Sequence, residues 1–530
     1  MDVVVVGNGI VGNLAALYLR RRLPDSHITI IGPASRGGAP VVGESTIEIT
    51  AQFLENELGL GEYLREHHYP KYSLTYYFKL HPDDPADRTY SVQCNERDCD
   101  NFSPLPSWQG PMARPPAWQL NREVFDRDMR ARVDALPGVT RIHGMVSDVA
   151  LDGERGHTLT VRTEAGAETT VKARWLVDVS GRRRLLARKL GLTVKVTPQR
   201  HAFWFRLAGF RRELLANLDA LGPHPSEPGG PYHYERFYST HHFMGRGNWI
   251  WLIPMRGHDA ERGEDMISIG LTQRPDIYRH DVRDMQSFMA AVSQEHPVIT
   301  DLVASGRVLD TNLYRNYRYE TKQVYSADRW CLVGDAAVAV DPLFSNGLAF
   351  SMMQLQQVGE MIASDLAGDH DPAYIERLDR AFWAPVRSSQ QTIGNWYSEM
   401  HDPVLSAVRL NMIETTYFYF LLPMVTNRCH FDRKRLGLWK LLELNSKPIE
   451  VPQRLVDLRR QVIHTTPDHF AYYGKAKVNP DALRRYASTG PVRQQMARGA
   501  ALLDRYFAEV SDRLAPVDLQ SRVDALAAGG

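Results

Sequence analysis

The feature that most constrains the fold of this chain is a short apolar strand followed by three spaced glycines, at the start of the sequence. Residues 2–6 read DVVVV, a β-branched run typical of a strand buried on both faces of a parallel sheet. Gly7, Gly9 and Gly12 follow, and a helical pattern continues to Arg22. The first glycine allows a tight turn, the second lets the backbone approach a pyrophosphate, and the third lets the helix pack on the strand. The pattern predicts a dinucleotide-binding fold, with the helix N-terminus at the phosphates, rather than a chance glycine turn.

The second strand, predicted at residues 28–31 (ITII), lacks the acidic residue that usually follows it and binds the ribose hydroxyls. The sequence continues instead as GPAS at residues 32–35. We therefore expect Ser35 or backbone groups to supply the ribose contact.

A second motif, GDAA at residues 334–337, directly follows another apolar strand at residues 330–333 (WCLV). The carboxylate of Asp335 at a strand end can accept hydrogen bonds from a polyol chain. A predicted helix at residues 347–365 would point its positive end at the anionic edge of a reduced flavin. Taken alone, the motif also fits a strand-turn-helix with an aspartate cap. Together the two motifs predict FAD rather than NAD, because two distant segments supply the phosphate and ribityl contacts.

The pattern of strands predicts an α/β fold (α+β overall), with a discontinuous Rossmann-like FAD domain, a β-sheet substrate domain and a C-terminal helical region. Residues 146–172 resemble an antiparallel meander, and residues 175–179 another buried strand. The predicted division is an FAD domain at 1–80, 118–200 and 326–368, a substrate domain at 81–117 and 201–325, and a helical cap at 369–530.

The composition argues against several classes of partner. The 63 Lys and Arg residues balance the 62 Asp and Glu residues, so no net charge attracts nucleic acid or an anionic membrane. The four cysteines form no CxxC pair, which indicates a reducing compartment without disulfides or a metal site. No signal peptide is recognised, and the longest apolar run, at residues 417–425, is interrupted by Pro423. We expect a cytoplasmic protein.

Four separated segments identify a family. Residues 42–46 read VGEST, residues 175–192 read WLVDVSGRRRLLARKLGL, residues 249–254 read WIWLIP and residues 341–347 read DPLFSNG. The aromatic segment alone could be a core strand, but four segments in the expected order are much more specific. The chain resembles the flavin-dependent halogenases (tryptophan-halogenase-like), within the glutathione-reductase- and hydroxybenzoate-hydroxylase-type FAD flavoproteins.

The resemblance implies a set of residues around FAD. Arg122 matches the flavin-proximal arginine of the superfamily, and Val146 matches the residue whose backbone touches adenine. The implied cofactor contacts are Gly7, Gly9, Gly12, Ser35, Glu44, Ser45, Arg122, Val146, Asp335, Pro342, Gly347 and Leu348.

The resemblance also implies the reaction. Reduced FAD and oxygen give a flavin hydroperoxide, and a halide ion (chloride or bromide) attacks it to form hypohalous acid. Asn346 and Gly347 would bind the halide through backbone amides at the positive start of a helix. The acid would travel through a tunnel that leads from the flavin to the substrate, and the residues implied to wall off the two compartments are Trp249, Trp251, Pro254 and Phe344.

A lysine in a confined pocket completes the implied mechanism, by donating a hydrogen bond to the hypohalous acid or by forming a chloramine. In the family this lysine opens an aromatic strand after the VGEST loop and a short helix. Lys71, in YPKYSLTYYF, fits that position. Lys79 would share the same strand parity and is the alternative. A lysine at a strand edge is more often simply solvated.

The substrate is predicted from a departure from the family. Tryptophan-specific members carry a glutamate at the position of Phe344. Because phenylalanine cannot act as a base or counter-charge, a phenolic or pyrrolic ring, free or carrier-bound, is the better prediction.

No second phosphate loop for NAD(P)H is recognised, so FADH2 would come from a separate flavin reductase. An FAD-dependent aromatic hydroxylase on the same fold, and a flavin-binding protein without enzymatic activity, are the alternatives. The histidine pairs at 67–68 and 241–242 are interpreted as structural.

Overall fold

The computed structural model describes residues 2–34, 41–71, 74–88, 90–94, 117–216, 236–257, 264–394, 396–439 and 501. The strands, in chain order, are β1 Val3–Val6, β2 Ile28–Gly32, β3 Tyr69–Lys71, β4 Leu74–Lys79, β5 Tyr90–Cys94, β6 Ala117–Gln119, β7 Val139–Ala150, β8 His157–Thr163, β9 Glu168–Ala173, β10 Trp175–Asp178, β11 Thr193–Lys195, β12 His201–Ala208, β13 Thr240–Gly245, β14 Asn248–Met255, β15 Met266–Gln273, β16 Arg307–Tyr314, β17 Tyr319–Thr321, β18 Tyr325–Ser326 and β19 Trp330–Leu332. The helices are α1 Ile10–Arg22, α2 Glu48–Gln52, α3 Gly61–His67, α4 Arg122–Asp134, α5 Leu185–Lys189, α6 Glu213–Ala216, α7 Met285–Glu295, α8 Pro297–Ala304, α9 Asn346–Leu366, α10 Pro372–Gly394, α11 Pro403–Thr416 and α12 Leu422–Thr426.

An eight-stranded sheet holds the glycine motif. Its order is β18-β19-β10-β1-β2-β7-β8-β9, and β19, β10, β1, β2 and β7 run parallel. Every residue of β1 and β10 is buried, because helices cover both faces of a parallel sheet. The carboxyl ends of β1, β10 and β19 lie side by side, so residues following these strands meet at one edge. The predicted α/β fold is confirmed.

A second sheet has seven strands, in the order β16-β12-β15-β14-β13-β4-β5. Successive residues of β14 point to opposite faces. Trp249, Trp251 and Ile253 pack into one hydrophobic cluster, and Ile250 and Leu252 pack into another. The helices α7 and α8 cover the face that carries Ile250, while the tryptophans face residues that follow α10.

The aromatic strand predicted to start at Lys71 is two separate strands. β3 pairs antiparallel with β6 in a two-stranded sheet, whereas β4 pairs with β13 in the seven-stranded sheet. Residues 74–79 therefore belong to the second sheet, although the sequence placed them in the first segment of the FAD domain. The prediction that the side chains of Lys71 and Lys79 point to the same face was wrong for the same reason, since strand alternation does not continue from one sheet into another.

Helices follow the second sheet, as the C-terminal periodicity predicts. The helices α10, α11 and α12 are described, whereas residues 440–500 and 502–530 of the predicted cap, and residues 95–116, lie outside the described residues. Within the described residues, no helix combines the length and apolar character needed to cross a membrane.

Candidate active site

The loop that follows β1 forms an open cradle. Gly7 has a φ of +122°, and a Cβ there would lie 2.3 Å from the carbonyl oxygen of Val179. A Cβ on Gly12 would lie 1.9 Å from the carbonyl oxygen of Gly7, so the first turn of α1 packs directly on the loop. Gly9 is exposed, and nothing lies within 4 Å of where its Cβ would be. A pyrophosphate therefore has room to approach the backbone at Gly9, in front of the N-terminus of α1.

Asn8 explains why β2 ends without an acidic residue. A Cβ on Gly32 would lie 2.5 Å from the Cγ of Asn8, so a longer side chain at residue 32 would collide with this asparagine. The Asn8 amide donates to the carbonyl of Pro33 and is thereby held in place. Ser35, the predicted replacement ribose ligand, lies outside the described residues.

Asp335 follows β19 at the same sheet edge as the cradle, and it is solvent-accessible. The hydroxyl of Tyr319 donates to its backbone carbonyl at 2.6 Å. Burial of its carboxyl group raises the pKa of Asp335, while the charges of Arg182 and Arg122 oppose that rise. Arg122 begins α4 and is buried, and its guanidinium donates to both carboxylate oxygens of Asp126 at 2.8 and 3.0 Å. The structure thus brings Asp335 and Arg122, which are far apart in sequence, to one cleft.

Glu44 is buried in the loop that precedes α2, with 3% of its surface exposed. Its Oε2 accepts a hydrogen bond from the amide of Gly43 at 2.9 Å, and its Oε1 has no hydrogen-bond partner among the described residues. Burial raises the pKa of Glu44, while hydrogen bonds from the loop backbone, the charge of Arg122 and a hydrogen bond from the Ser268 hydroxyl oppose that rise. Arg122 also donates to the carbonyl of Val42 at 2.5 Å, so arginine and loop form one unit.

The same loop contacts β13 and the predicted catalytic lysine. Ser45 and Thr240 share a hydrogen bond between their hydroxyls at 2.9 Å. The amide of Thr46 donates to the carbonyl of Trp118 at 2.9 Å, and the carbonyl of Thr46 accepts from the Lys71 ammonium at 3.0 Å. The loop thereby joins the cofactor cleft to the lysine.

Lys71 is 4% exposed, so its amine lies inside the protein and not in open solvent. Burial, and secondly the charge of Lys71, lower the pKa of His242 to about 3. The ring of His242 stacks on Tyr76 with centroids 4.9 Å apart, and it lies 5.6 Å from the ring of Trp249. The charge of Lys71 therefore acts on a ring that lies on the tryptophan side of the seven-stranded sheet.

Lys79, the alternative, lies elsewhere. Its ammonium donates to the carbonyls of Asp84 and Gln294, at 2.5 and 3.4 Å, and its charge acts on His296. Gln294 belongs to α7, so Lys79 lies on the face of the sheet that α7 and α8 cover. The structure does not bring Lys79 to the tryptophans.

The two predicted wall tryptophans are neighbours on one face of β14, with ring centroids 5.6 Å apart. The indole nitrogen of Trp249 donates to the hydroxyl of Tyr397 at 2.9 Å, and that of Trp251 donates to Ser268 at 3.2 Å. A Cβ on Gly270 would lie 2.1 Å from the indole of Trp251, so the facing strand supplies a glycine where the indole needs space. Both indoles are therefore fixed in position.

Pro254 was wrongly predicted to share that wall. Strand alternation places it with Ile250 and Leu252 on the opposite face of β14, paired with Ile267. Phe344 is half-buried on the tryptophan side, where its ring stacks on Trp396 with centroids 6.2 Å apart.

The start of α9 is the region predicted to bind the halide. Its first backbone amides have no carbonyl within the helix to donate to, and they carry the positive end of a 21-residue helix. Gly347 and Pro342 are exposed, and Leu348 is half-buried. The side chain of Asn346 donates to the hydroxyl of Ser389 at 2.8 Å.

Val146 is buried in β7, where the ladder with β8 shifts register after this residue. Its carbonyl accepts a hydrogen bond from Arg183, so this acceptor already has a partner within the protein.

Sequence reasoning missed four buried residues around the tryptophans: His242, Arg200, Asp341 and Tyr397. His242 was interpreted as structural, and Tyr397 belongs to none of the motifs that identified the family. Asp341 was quoted only as part of a motif, although it forms an ion pair with Arg200 at 3.3 Å and accepts from Tyr397 at 2.6 Å. The available signal was a charged residue, Arg200, directly before the apolar strand β12. No cluster of three or more His, Cys, Asp or Glu suited to a metal ion occurs in the described parts of the chain.

Comparison with known proteins supports the resemblance. The family model described as "Tryptophan halogenase" matches residues 2–79 and 73–402. A flavin-dependent halogenase of Dictyostelium discoideum is 27% identical over 465 residues, covering 81% of this chain and 71% of the relative. A 1H-pyrrole-2-carbonyl-[peptidyl-carrier protein] chlorinase of Pseudomonas fluorescens is 25% identical, covering 90% of this chain and 97% of the relative.

Solved structures show the same fold. The crystal structure of the halogenase PltM superposes with a TM-score of 0.64 at 17% identity, covering 96% of both chains. The flavin-dependent brominase Bmp2 superposes with a TM-score of 0.53 at 20% identity, covering 92% of this chain and 99% of Bmp2. The family model covers well over half of the sequence and agrees with the four segments quoted above, and the chain therefore belongs to the tryptophan-halogenase family of flavin-dependent halogenases.

Proposed function

We propose that this enzyme uses FADH2 and oxygen to install chloride or bromide on an electron-rich phenolic or pyrrolic ring, with Lys71 delivering the halogen. The observation that carries the proposal is the buried Lys71 ammonium, which donates to the VGEST loop at Thr46 and whose charge acts on His242, a ring 5.6 Å from that of Trp249. One loop thereby joins the predicted cofactor cleft to the predicted delivery group.

The residues at the cleft fit FAD. The open space above Gly9 accommodates a pyrophosphate, and the accessible carboxylate of Asp335 suits the hydroxyls of a ribityl chain. The partnerless Oε1 of Glu44 is an acceptor that a bound flavin could satisfy. When bound in reduced form, FAD supplies with oxygen the oxidising equivalent that converts halide to hypohalous acid.

The start of α9 is the proposed halide site. Backbone amides at Asn346 and Gly347 can donate to an anion, and the helix dipole favours negative charge there. The helix α9 sets the direction of these amides, and the side chain of Asn346 donates to Ser389 instead. Gly347 carries no side chain that would cover them.

Lys71 is proposed to hold the hypohalous acid against the ring. Its ammonium can donate a hydrogen bond to the acid, and its buried position excludes water that would dilute a reactive oxidant. Trp249 and Trp251 hinder direct passage between cofactor and ring, which would suppress hydroxylation.

The proposed ring is activated by its own hydroxyl or nitrogen. Phe344 stacks on Trp396 and offers no carboxylate to a cationic ring intermediate, so the substrate must stabilise that charge itself. Relatives include a tetracycline 7-halogenase, 30% identical over 41% of this chain, and the carrier-protein pyrrole chlorinase. A separate NAD(P)H-flavin reductase as source of FADH2, a substrate free or tethered to a carrier protein, and a cytoplasmic location belong to the same proposal.

The test is a halide-dependent product screen. The purified chain is incubated with a flavin reductase, NADH, FAD and a panel of phenols and pyrroles, free and carrier-tethered, with chloride, with bromide or without halide. We expect products whose mass spectra show the chlorine or bromine isotope pattern, and only when halide is present. A product that gains oxygen instead would indicate the aromatic hydroxylase.

A further inference from the structure

A row of hydrogen-bonded side chains crosses the interior between the tryptophan wall and the segment that precedes α9. The indole nitrogen of Trp249 donates to the Tyr397 hydroxyl at 2.9 Å, and that hydroxyl donates to Oδ2 of Asp341 at 2.6 Å. The Nε of Arg200 lies 3.3 Å from the same carboxylate oxygen. The hydroxyl of Tyr397 therefore stands between Trp249 and Asp341 in this row and is hydrogen-bonded to both.

Every member of the row is sealed from water. Tyr397 and Arg200 are 0% exposed, and Trp249 and Asp341 are 2% exposed. Water cannot replace a lost partner at such sites, so removal of one group leaves its neighbours unsatisfied. The guanidinium of Arg200 also lies over the Tyr397 ring, 3.9 Å from its centroid. The ring is held through its face and its hydroxyl at once, and this fixes the direction in which the hydroxyl points.

The row connects parts of the chain with different proposed tasks. Trp249 belongs to the wall on β14, whereas Asp341 opens the DPLFSNG segment that leads into α9 at Asn346. The other oxygen of Asp341 accepts from the amide of Leu343 at 3.3 Å, so the carboxylate also shapes this segment. Tyr397 itself follows α10. The phenol of Tyr397 therefore joins the wall to the proposed halide segment by hydrogen bonds, in addition to the hydrophobic packing of Leu343 in the same cluster as Trp249.

We propose that Tyr397 is a positioning residue that, through its hydroxyl, locks the indole of Trp249 to the DPLFSNG segment and so keeps hypohalous acid on the route to Lys71. The inference rests on the proposed function. Without the hydroxyl, Trp249 would lose its acceptor and Asp341 one of its donors, and the wall would open part of the time. Oxidant would then escape before it meets the ring.

The variant Tyr397→Phe tests this inference, because it removes one oxygen and keeps the ring under Arg200. With chemically reduced FAD, we expect the halogenated product per FADH2 consumed to fall at least fivefold, and the halogenation of a small 1,3-diketone trap to rise. The dissociation constant for FAD should stay within twofold. An unchanged ratio of product to FADH2 would overturn the proposal.

Tyr325→Phe is the matched control. Tyr325 is 1% exposed, and its hydroxyl donates to Gln357 at 2.6 Å, so the same buried oxygen is lost in the core around the eight-stranded sheet. We expect its product ratio to match the wild type. An equal loss in both variants would mean that general destabilisation, and not the position of Trp249, causes the effect.

A double-mutant cycle tests whether the hydroxyl acts through the indole. Trp249→Phe removes the indole N–H, and if the two groups act together, the double variant should lose no more than the worse single variant. If the double variant instead loses the product of the two single losses, the hydroxyl and the indole act independently, which would contradict the mechanism. If Tyr397→Phe does not fold, Trp249→Phe removes the other end of the same bond and carries the same expectation.

A measurement without turnover separates this inference from the proposed function. In protein labelled with 5-fluorotryptophan, the ¹⁹F resonance of Trp249, assigned by its loss in Trp249→Phe, should broaden or split in Tyr397→Phe. An unchanged resonance overturns the positioning role even if the wild type halogenates. A wild type that forms no halogenated product overturns the proposed function, and with it the role of Tyr397 in coupling, whatever the resonance shows.

Discussion

Lys71 and Lys79 offer a direct comparison of two buried amines with different surroundings. Lys71 donates to Thr46 and its charge acts on His242, whereas Lys79 donates to the carbonyls of Asp84 and of Gln294 in α7. We expect Lys71→Met to lower halogenation below about one hundredth of wild type, because general acid assistance and halogen delivery both require the amine. FAD binding and FADH2 consumption should change less than twofold.

Lys79→Met is the control for loss of a buried ammonium, and it should retain halogenation within about threefold, since the amine does not reach the wall. Product yields by mass spectrometry and flavin fluorescence titrations measure both quantities. Product formation at the wild-type rate by Lys71→Met would show that another group delivers the halogen.

The histidine pair at 241–242 shows which single-residue roles the sequence could not reveal. The two residues are identical in type and adjacent, yet strand alternation sends them to opposite faces of β13. The Nδ1 of His241 lies 3.0 Å from the hydroxyl of Tyr77, whereas the ring of His242 lies 5.6 Å from that of Trp249 and feels the charge of Lys71. Lys71 could be predicted from its motif context, but the neighbours of His242 come from distant strands that no local pattern encodes.

At the scale of elements, the turn between β1 and α1 permits a paired prediction. Gly9→Ala should fold normally, because its Cβ meets nothing within 4 Å, but FAD affinity should fall by about tenfold or more, since the methyl group occupies the approach of the pyrophosphate. Gly12→Ala should instead lower stability by about 3 kcal/mol or more, because its Cβ would lie 1.9 Å from the Gly7 carbonyl oxygen and force the helix to move.

Thermal unfolding without FAD, combined with flavin fluorescence titration, distinguishes the two glycine variants. The expectation fails if Gly9→Ala unfolds at a lower temperature than Gly12→Ala, or if it binds FAD as tightly as the wild type.

Elements with strong local patterns were predicted closely, and those fixed by their partners were not. The strand predicted at 28–31 extends over Ile28–Gly32, and the helix predicted at 347–365 extends over Asn346–Leu366. The break between β3 and β4 was missed, because both segments are aromatic and extended. Only pairing with β6 in one case and with β13 in the other separates them. The face of Pro254 was missed for a related reason, since a motif records spacing and not side-chain direction.

Across the whole molecule, four buried histidines are kept neutral by the folded state. Burial lowers the pKa of His68, His242, His296 and His430 to about 3 in each case. The unfolded chain binds protons at these residues below pH 6.5, whereas the folded protein does not. Each histidine therefore contributes stability that is complete above pH 6.5 and is lost progressively as the pH falls towards 3.

His430 is suited to a test, because it lies in the core around the eight-stranded sheet, away from the tryptophan wall. At pH 5, protonation of this one histidine in the unfolded state should lower the free energy of unfolding of the wild type by about 2 kcal/mol. The variant His430→Leu has no histidine at this position, so its free energy of unfolding is not lowered in this way. The difference in free energy of unfolding between wild type and variant should therefore shrink by that amount between pH 7.5 and pH 5. Use of the difference cancels the carboxyl groups, which titrate in both proteins. A difference that is constant or grows on acidification would contradict the neutral state of this histidine.

The two-stranded ribbon of β3 and β6 has a consequence for how such an enzyme diversifies. Lys71 is carried on this ribbon, which belongs to neither large sheet and is braced by the loop at Thr46. Side chains of the seven-stranded sheet can therefore be substituted to fit a ring of different shape, and the Lys71 amine keeps its position. The reactive amine and the substrate cavity are carried by separate pieces of backbone. Selection can therefore alter the cavity while the position of the amine stays constant.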